Sequence, residues 1–247
     1  MNAIDASSAD RAYPPLAEIY DPLQAAQCPE GWIVGHLGQS LDGFIATEAG
    51  DSRFVTGHAN IQHLHRMRSL CDAVIVGAAT VAADDPQLTT REVPGSNPWR
   101  IVLDPRRRLG MQHRLFQDGA APTIIICESN AATTGNPARL PAGVELLPVP
   151  ADDAGLDLRA AIAALAMRGR RRLFVEGGGR TVTCFLQNRL LNRLHIAVAP
   201  LLIGHGRPSV RLPGNTSLSS CLRPRHRIFR MGADVLFDLE LDPLQTG

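Results

Sequence analysis

Apolar and polar positions along the chain follow two rhythms. Residues 32–38 (Trp-Ile-Val-Gly-His-Leu-Gly) form a nearly continuous apolar run closed by the polar turn Ser40-Leu41-Asp42-Gly43, which predicts a buried strand. His58 to Leu70 then carries Ile61, Leu64, His65 and Leu70 at helical spacing, and 73–77 is a short apolar run of the kind a central parallel strand shows. Further strands are predicted over 100–104 and 122–127 and near 143–149. Leu156, Leu158, Ile162, Leu165 and Ala166 make one apolar helical stripe, and 172–176 is another strand. The glycines 177–179 open a helix that runs to about Asn188, and 195–203 is the next strand. Two last strands, near 225–230 and 234–241, flank Met231-Gly-Ala and predict an antiparallel hairpin. The alternation predicts an α/β fold with a mainly parallel central sheet flanked by helices and an antiparallel C-terminal edge hairpin. Residues 1–30, with four prolines and no sustained period, read as an extended N-terminal arm in which Leu16 to Tyr20 forms a docking turn. Residues 31–247 read as a single domain.

Composition narrows the functional classes. With 247 residues the chain builds a core without disulfide help. Its 25 basic and 24 acidic side chains leave a formal charge of +1, so no global field favours nucleic acid or an anionic membrane, and any anion site is local. The five cysteines (28, 71, 127, 184, 221) include no C-x-x-C pair; they predict free thiols in a reducing compartment and no metal site. No leader pattern occurs, and no apolar run nears the roughly 18 residues of a membrane span, so a cytoplasmic protein is expected. Aromatic residues, at 4%, are too few for a base-stacking platform.

Three segments carry chemistry. Val175-Glu176-Gly177-Gly178-Gly179-Arg180-Thr181 stands at a strand-to-helix junction, where residues without Cβ let a diphosphate approach the unsatisfied N–H groups of the new helix. Its spacing is neither the Rossmann fingerprint nor a P-loop, and an ordinary tight turn is the alternative. Residues 77–91 (G-A-A-T-V-A-A-D-D-P-Q-L-T-T-R) follow a buried strand, and polar residues at the carboxyl end of a parallel strand are where ligands dock in open α/β sheets. Asp84 and Asp85 also suit a plain helix-ending turn before Pro86. Ser40-Leu41-Asp42-Gly43, with Ser52 and Phe54 beyond it, is nonspecific in isolation.

In this order the motifs resemble the pyrimidine reductases of riboflavin biosynthesis. The resemblance rests on Ser40 to Gly43, Arg68, Val76 to Arg91, Val102 to Pro105, Glu176 to Gly178 and Ala199 to Gly204, and spans about 32 to 240. It implies a dihydrofolate-reductase-like fold, a homodimer, and NADPH-dependent reduction of a ribosylaminopyrimidine 5′-phosphate to its ribityl form. Carried over residue by residue, Thr80, Asp84, Gly178, Gly179, Arg180 and Thr181 contact the dinucleotide, and Asp84 is the candidate catalytic residue. Ser52, Arg68, Leu88, Arg91 and Glu176 contact the substrate, the arginines through charge-assisted bonds to its phosphate.

Three positions depart from the family pattern. His36 stands where members usually carry Lys, which removes a fixed positive charge from the substrate site. Phe54 replaces a frequent Trp and keeps an aromatic face. Pro105 replaces Ser, yet Arg106, Arg107 and Arg108 follow, and Arg106 is the candidate for the adenosine 2′-phosphate, with a solvated basic turn as the alternative. The zinc deaminase signature that precedes this reductase in bifunctional relatives is missing from the sequence. Two other functions stay open: reduction of another pterin-like or heterocyclic substrate, and non-catalytic dinucleotide binding.

Overall fold

The computed structural model describes residues 16–25, 31–134, 140–153 and 155–243. Residues 1–15 and 26–30 of the expected arm, Cys28 among them, lie outside these. The strands are β1 (Trp32–Ser40), β2 (Phe44–Thr47), β3 (Ala73–Gly77), β4 (Trp99–Leu103), β5 (Thr123–Glu128), β6 (Val144–Val149), β7 (Ala151–Asp152), β8 (Gly155–Leu156), β9 (Arg172–Glu176), β10 (Arg193–Ala199), β11 (Gly206–Pro208), β12 (His226–Met231) and β13 (Asp234–Glu240). The helices are α1 (Asp21–Ala25), α2 (His58–Leu70), α3 (Ala78–Asp84), α4 (Arg114–Gln117), α5 (Ala131–Thr134), α6 (Leu158–Met167) and α7 (Gly179–Gln187).

Nine strands form one sheet in the order β12-β13-β10-β1-β9-β3-β4-β5-β6. The pairings from β10 through β6 are parallel, and β13 and β12 close the other edge antiparallel, as the sequence pattern predicts. Alternate side chains of each central strand enter two separate cores. Ile33, Ile75, Ile101, Ile124 and Val175 pack with Leu165 of α6 and with Val182 and Phe185 of α7. Val34, Val74, Val76, Val102 and Phe174 pack with Met67 of α2, Val81 of α3, and Leu115 and Phe116 of α4. Burial on both faces is why these strands read as continuous apolar runs rather than alternating ones.

The differences from expectation have local causes. The strand expected to reach Ile203 ends at Ala199, because Pro200 has no N–H for the ladder and the Leu201 N–H turns back to the Ala199 carbonyl at 2.8 Å. Leu156 belongs to the small β7–β8 hairpin, and α6 starts after Asp157, whose side chain accepts the Ala160 N–H at 3.0 Å. β2 and β11 pair as a separate ribbon that the apolar pattern does not announce. Leu16–Ile19 forms the helical turn expected there, whereas residues 21–25 of the arm are helical (α1) rather than extended, and the two bury Ile19 and Leu23 to 3% and 2% exposure.

Between α2 and the sheet lies a buried polar row. The Tyr20 hydroxyl meets His63 Nδ1 at 2.9 Å, His63 Nε2 meets His195 Nδ1 at 3.1 Å, and His195 Nε2 lies 3.4 Å from Asp238. Burial, reinforced by His195, lowers His36 to about 4, and burial drives His63 well below its ordinary value.

Two predictions follow from this packing. Asp157→Ala removes a side-chain cap and is expected to cost about 1 kcal/mol in urea denaturation. Histidines depressed in the fold take up protons more readily in the unfolded chain, so their contribution to stability is complete above about pH 6.5 and declines as pH falls toward 4. Urea midpoints are expected to drop between pH 7.5 and 5, with a shallower slope in His63→Gln; equal slopes would contradict the assignment.

Candidate active site

The carboxyl ends of the parallel strands β1, β9 and β3 open into a cleft of about 780 Å³. This is the edge at which a parallel sheet presents helix N-termini and loops to a ligand. His36, Asn60, Leu88 and Glu176 line it, as do Thr80 and Asp84 of α3, Gly177 to Gly179, and the segment around Ser52 to Thr56.

Glu176, the last residue of β9, is held by Arg68 of α2. The guanidinium Nε donates to Glu176 Oε2 at 2.7 Å, Nη2 donates to Oε1, and Nη1 donates to the Thr89 carbonyl at 3.0 Å. Both side chains are largely buried, at 7% and 15% exposure. Arg68 is therefore committed to protein groups and does not line the cleft, whereas Glu176 does. Arg91 is exposed outside the cleft wall, and its backbone N–H donates to His65 Nδ1 at 3.0 Å. Burial, with Arg68 and Arg91 nearby, lowers His65 to about 4.

His36 sits beside Glu176 in the β1–β9 register and beside His195 in the β1–β10 register. Its Nε2 donates to Asn60 Oδ1 at 2.9 Å, and Asn60 Nδ2 donates to Thr56 Oγ1 at 2.8 Å. The imidazole stays neutral at physiological pH. Leu88 is 1% exposed and holds a left-handed backbone with φ of 55°, which is strained for a side chain bearing Cβ.

The glycine run is shaped by close approach. Gly177 adopts φ of 145°, and Thr80 Oγ1 accepts the Gly178 N–H at 3.1 Å, which ties α3 to the start of α7. A Cβ on Gly179 would lie 2.2 Å from the Ser209 carbonyl oxygen and 2.6 Å from that of Pro208, so no side chain fits. The Ser209 hydroxyl is buried on the cleft wall without a hydrogen-bond partner, an unsatisfied group that a polar ligand would complete. Thr181 packs against Gly77 and does not line the cleft, and Arg106 is exposed in the turn after β4, also off the cleft wall. Arg107 is buried and donates to the Ala132 carbonyl at 3.0 Å.

Asn60, Arg207, Ser209 and Arg211 line the cleft without having been singled out in the sequence. Arg207 and Arg211 follow the strand β10 that was expected to continue to Ile203, so no motif flagged them. Asp42 supplies the missing link: its carboxylate accepts the N–H groups of Ile203 at 3.1 Å and Gly204 at 2.6 Å and fixes the loop that leads to β11 and Arg207. Partial burial raises the Asp84 carboxyl above its ordinary range, and Arg207 opposes that rise. Arg180, Arg207 and Arg211 are exposed at the rim and form no ion pair among the described residues. No group of three or more metal-ligating side chains occurs among the described residues, and none of their helices is long and apolar enough to cross a membrane.

A family model described as the RibD C-terminal domain matches residues 31–236. The chain is 31% identical over 213 residues to the 2,5-diamino-6-ribosylamino-4(3H)-pyrimidinone 5′-phosphate reductase of Methanothermobacter thermautotrophicus, covering 84% of this chain and 96% of that protein. It is 32% identical over 207 residues to riboflavin biosynthesis protein RibD of Aquifex aeolicus, covering 83% of this chain and 56% of that one. It thus spans little more than half of this RibD relative. Among solved structures, a Thermotoga maritima diaminohydroxyphosphoribosylaminopyrimidine deaminase/5-amino-6-(5-phosphoribosylamino)uracil reductase superposes with a TM-score of 0.70 at 25% identity, over 91% of this chain and 60% of that one. The riboflavin biosynthesis reductase of Saccharomyces cerevisiae superposes with a TM-score of 0.71 at 20% identity, over 92% and 99%. The fold is the dihydrofolate-reductase-like one expected from the sequence.

The Arg68–Glu176 pair generates a test. Arg68→Met leaves a buried carboxylate unpaired and is expected to cost about 3–5 kcal/mol in denaturant unfolding, and adding Glu176→Met is expected to recover most of that loss. A double variant no more stable than the single one would contradict a paired-charge role.

Proposed function

Because the chain belongs to the RibD C-terminal domain family, we propose that it is the NADPH-dependent reductase that converts a ribosylaminopyrimidine 5′-phosphate to its ribityl form in riboflavin biosynthesis. The observation that carries this reading is the conjunction, in one cleft, of a glycine run at a helix start with an unpartnered buried hydroxyl and a carboxylate locked by Arg68.

The residues fit a nicotinamide dinucleotide. Its diphosphate is proposed to lie over Gly178 and Gly179, where the Gly179 and Arg180 N–H groups open α7 and favour an anion, those of Gly178 and Thr181 being bonded to Thr80 Oγ1 and the Gly178 carbonyl. Ser209 Oγ gains a partner there, and Arg180 and Arg211 add positive charge at the rim. Thr80 and Thr181 hold the cradle in place, Thr80 through the Gly178 N–H and Thr181 through its packing on Gly77. Strand β4 stands two positions from β9 in the sheet, about 10 Å away at ordinary strand spacing, and its carboxyl end opens on the same edge. An adenosine extending along that edge reaches the turn carrying Arg106, which is the proposed 2′-phosphate contact. When bound, the nicotinamide supplies the hydride.

The substrate is proposed to occupy the His36, Ser52, Leu88 and Glu176 side of the cleft. Opening of the ribosyl ring breaks the C1′–O4′ bond and leaves an imine; C1′ then gains a hydride and the nitrogen a proton. Asp84 is the proposed proton donor, since its raised carboxyl retains a proton more readily than an ordinary aspartate. Arg207, beside Asp84 and unpaired, is the proposed phosphate contact in place of Arg68, which is buried against Glu176 and the Thr89 carbonyl and does not line the cleft. Arg91 lies outside the cleft wall and is assigned no contact. A cytoplasmic homodimer completes the proposal; light scattering after size exclusion tests the dimer.

Following NADPH absorbance on addition of the ribosylaminopyrimidine phosphate tests the activity. Oxidation is expected, and its absence despite tight NADPH binding would leave dinucleotide binding as the function. Arg207→Ala is expected to raise KM for the substrate about tenfold or more, the scale of one charge-assisted hydrogen bond, with NADPH affinity unchanged. Arg106→Ala is expected to narrow the preference for NADPH over NADH; an unchanged preference would remove Arg106 from the site.

A further inference from the structure

The floor and rim of the cleft differ in charge. At the rim stand the unpaired cations Arg180, Arg207 and Arg211. At the floor the Glu176 carboxylate is neutralised by Arg68, and His36 and Asn60 are both uncharged. A ligand with a charged tail and a neutral ring is therefore oriented with the ring inward.

Asn60 is the polar group best placed to meet that ring. It is 2% exposed, lies on the cleft wall, and is gripped from two sides, by His36 from β1 and by Thr56 from the segment before α2. An asparagine amide has two N–H donors and two acceptor lone pairs. The bond from His36 uses one lone pair and the bond to Thr56 uses one N–H, so one donor and one acceptor are left on an amide held from two sides. Reversing the amide would need the other His36 tautomer and the Thr56 hydroxyl as donor, and it would still leave one donor and one acceptor unused. Leaving half the capacity of a buried amide unused costs free energy, which a complementary ligand recovers.

We propose that Asn60, held by His36 and Thr56, is a specificity residue that reads a cyclic amide, an adjacent ring N–H and C=O, on the heterocycle of the substrate. The inference rests on the reductase reading only for the identity of the rest of the ligand. Both the diaminopyrimidinone and the uracil named for the relatives carry this edge at N3 and C4. His36 acts as a positioning residue: its neutral N–H fixes the amide, and an ammonium in its place would add a charge that the floor does not otherwise hold.

The test needs no turnover. Calorimetric titration of the full-length protein with 5,6-diaminouracil and with its 3-methyl derivative, each with saturating NADPH, reads the edge directly. Wild type is expected to bind the methylated ring about tenfold more weakly, the effect of one or two lost hydrogen bonds. Asn60→Ala is expected to bind the parent ring about tenfold more weakly and to discriminate little between the two rings. His36→Gln retains an N–H toward Asn60 and is expected to preserve discrimination, whereas His36→Leu releases the amide and is expected to lose it. Thermal midpoints accompany each variant, and Asn60→Asp, of the same size, replaces Asn60→Ala where the latter does not fold. Equal methyl penalties in wild type and Asn60 variants, or no penalty in wild type, would overturn the proposal. A chain that binds the ring through Asn60 but oxidises no NADPH with the phosphorylated substrate would overturn the proposed function and leave this inference standing.

Discussion

The pair between Arg68 and Glu176 is the constraint on which the site depends. Arg68 stands in the last turn of a helix packed on one face of the sheet, Glu176 ends a central strand, and the third guanidinium branch holds the Thr89 carbonyl next to the strained Leu88. One cation thus joins a helix, a strand end and the loop after α3. A carboxylate buried at a strand end without that partner would be strongly disfavoured as an ion. Its charge is retained at the floor of the cleft because the fold supplies a guanidinium whose planar fork matches it.

From that pair outward the charges sort by depth. The deep groups are neutral or compensated, and the imidazoles of His36 and His63 are kept uncharged by the cost of desolvating a cation. The free arginines of the cleft stand at its rim, on α7 and on the segment that begins with β11. The net charge of +1 conceals this arrangement, since a balanced composition still holds a local positive field at the mouth of the cleft.

Much of the fold was legible in the sequence because doubly buried parallel strands leave an unmistakable apolar trace, and β3, β4, β5 and β9 appear nearly where the pattern puts them. The β2–β11 ribbon was not, because its strands of four and three residues are too short for periodicity to register. At the site, Glu176, Thr80 and the glycine run were recognisable from local context, since each lies at a strand end or helix start. Arg68 was read as a substrate contact, and its partner lies 108 positions away, so spacing alone could not show that a carboxylate of the protein engages it. Asn60 gave no signal, since its role depends on His36, 24 positions away on another element, and no local pattern encodes that meeting. Arg207 was hidden for a similar reason: Asp42, a turn residue of no evident chemistry, sets its loop from 161 positions away.

The missing side chain at Gly179 reaches beyond the fit of a phosphate. Because α7 starts in backbone contact with Pro208 and Ser209, and β11 is in turn paired to β2, the cradle under the glycines and the arm bearing Arg207 form one mechanical unit. A displacement that widens the mouth of the cleft on the β11 side must also disturb the start of α7. The start of α7 and the position of Arg207 are thereby tied to each other through backbone that packs without a side chain between, so neither can shift alone.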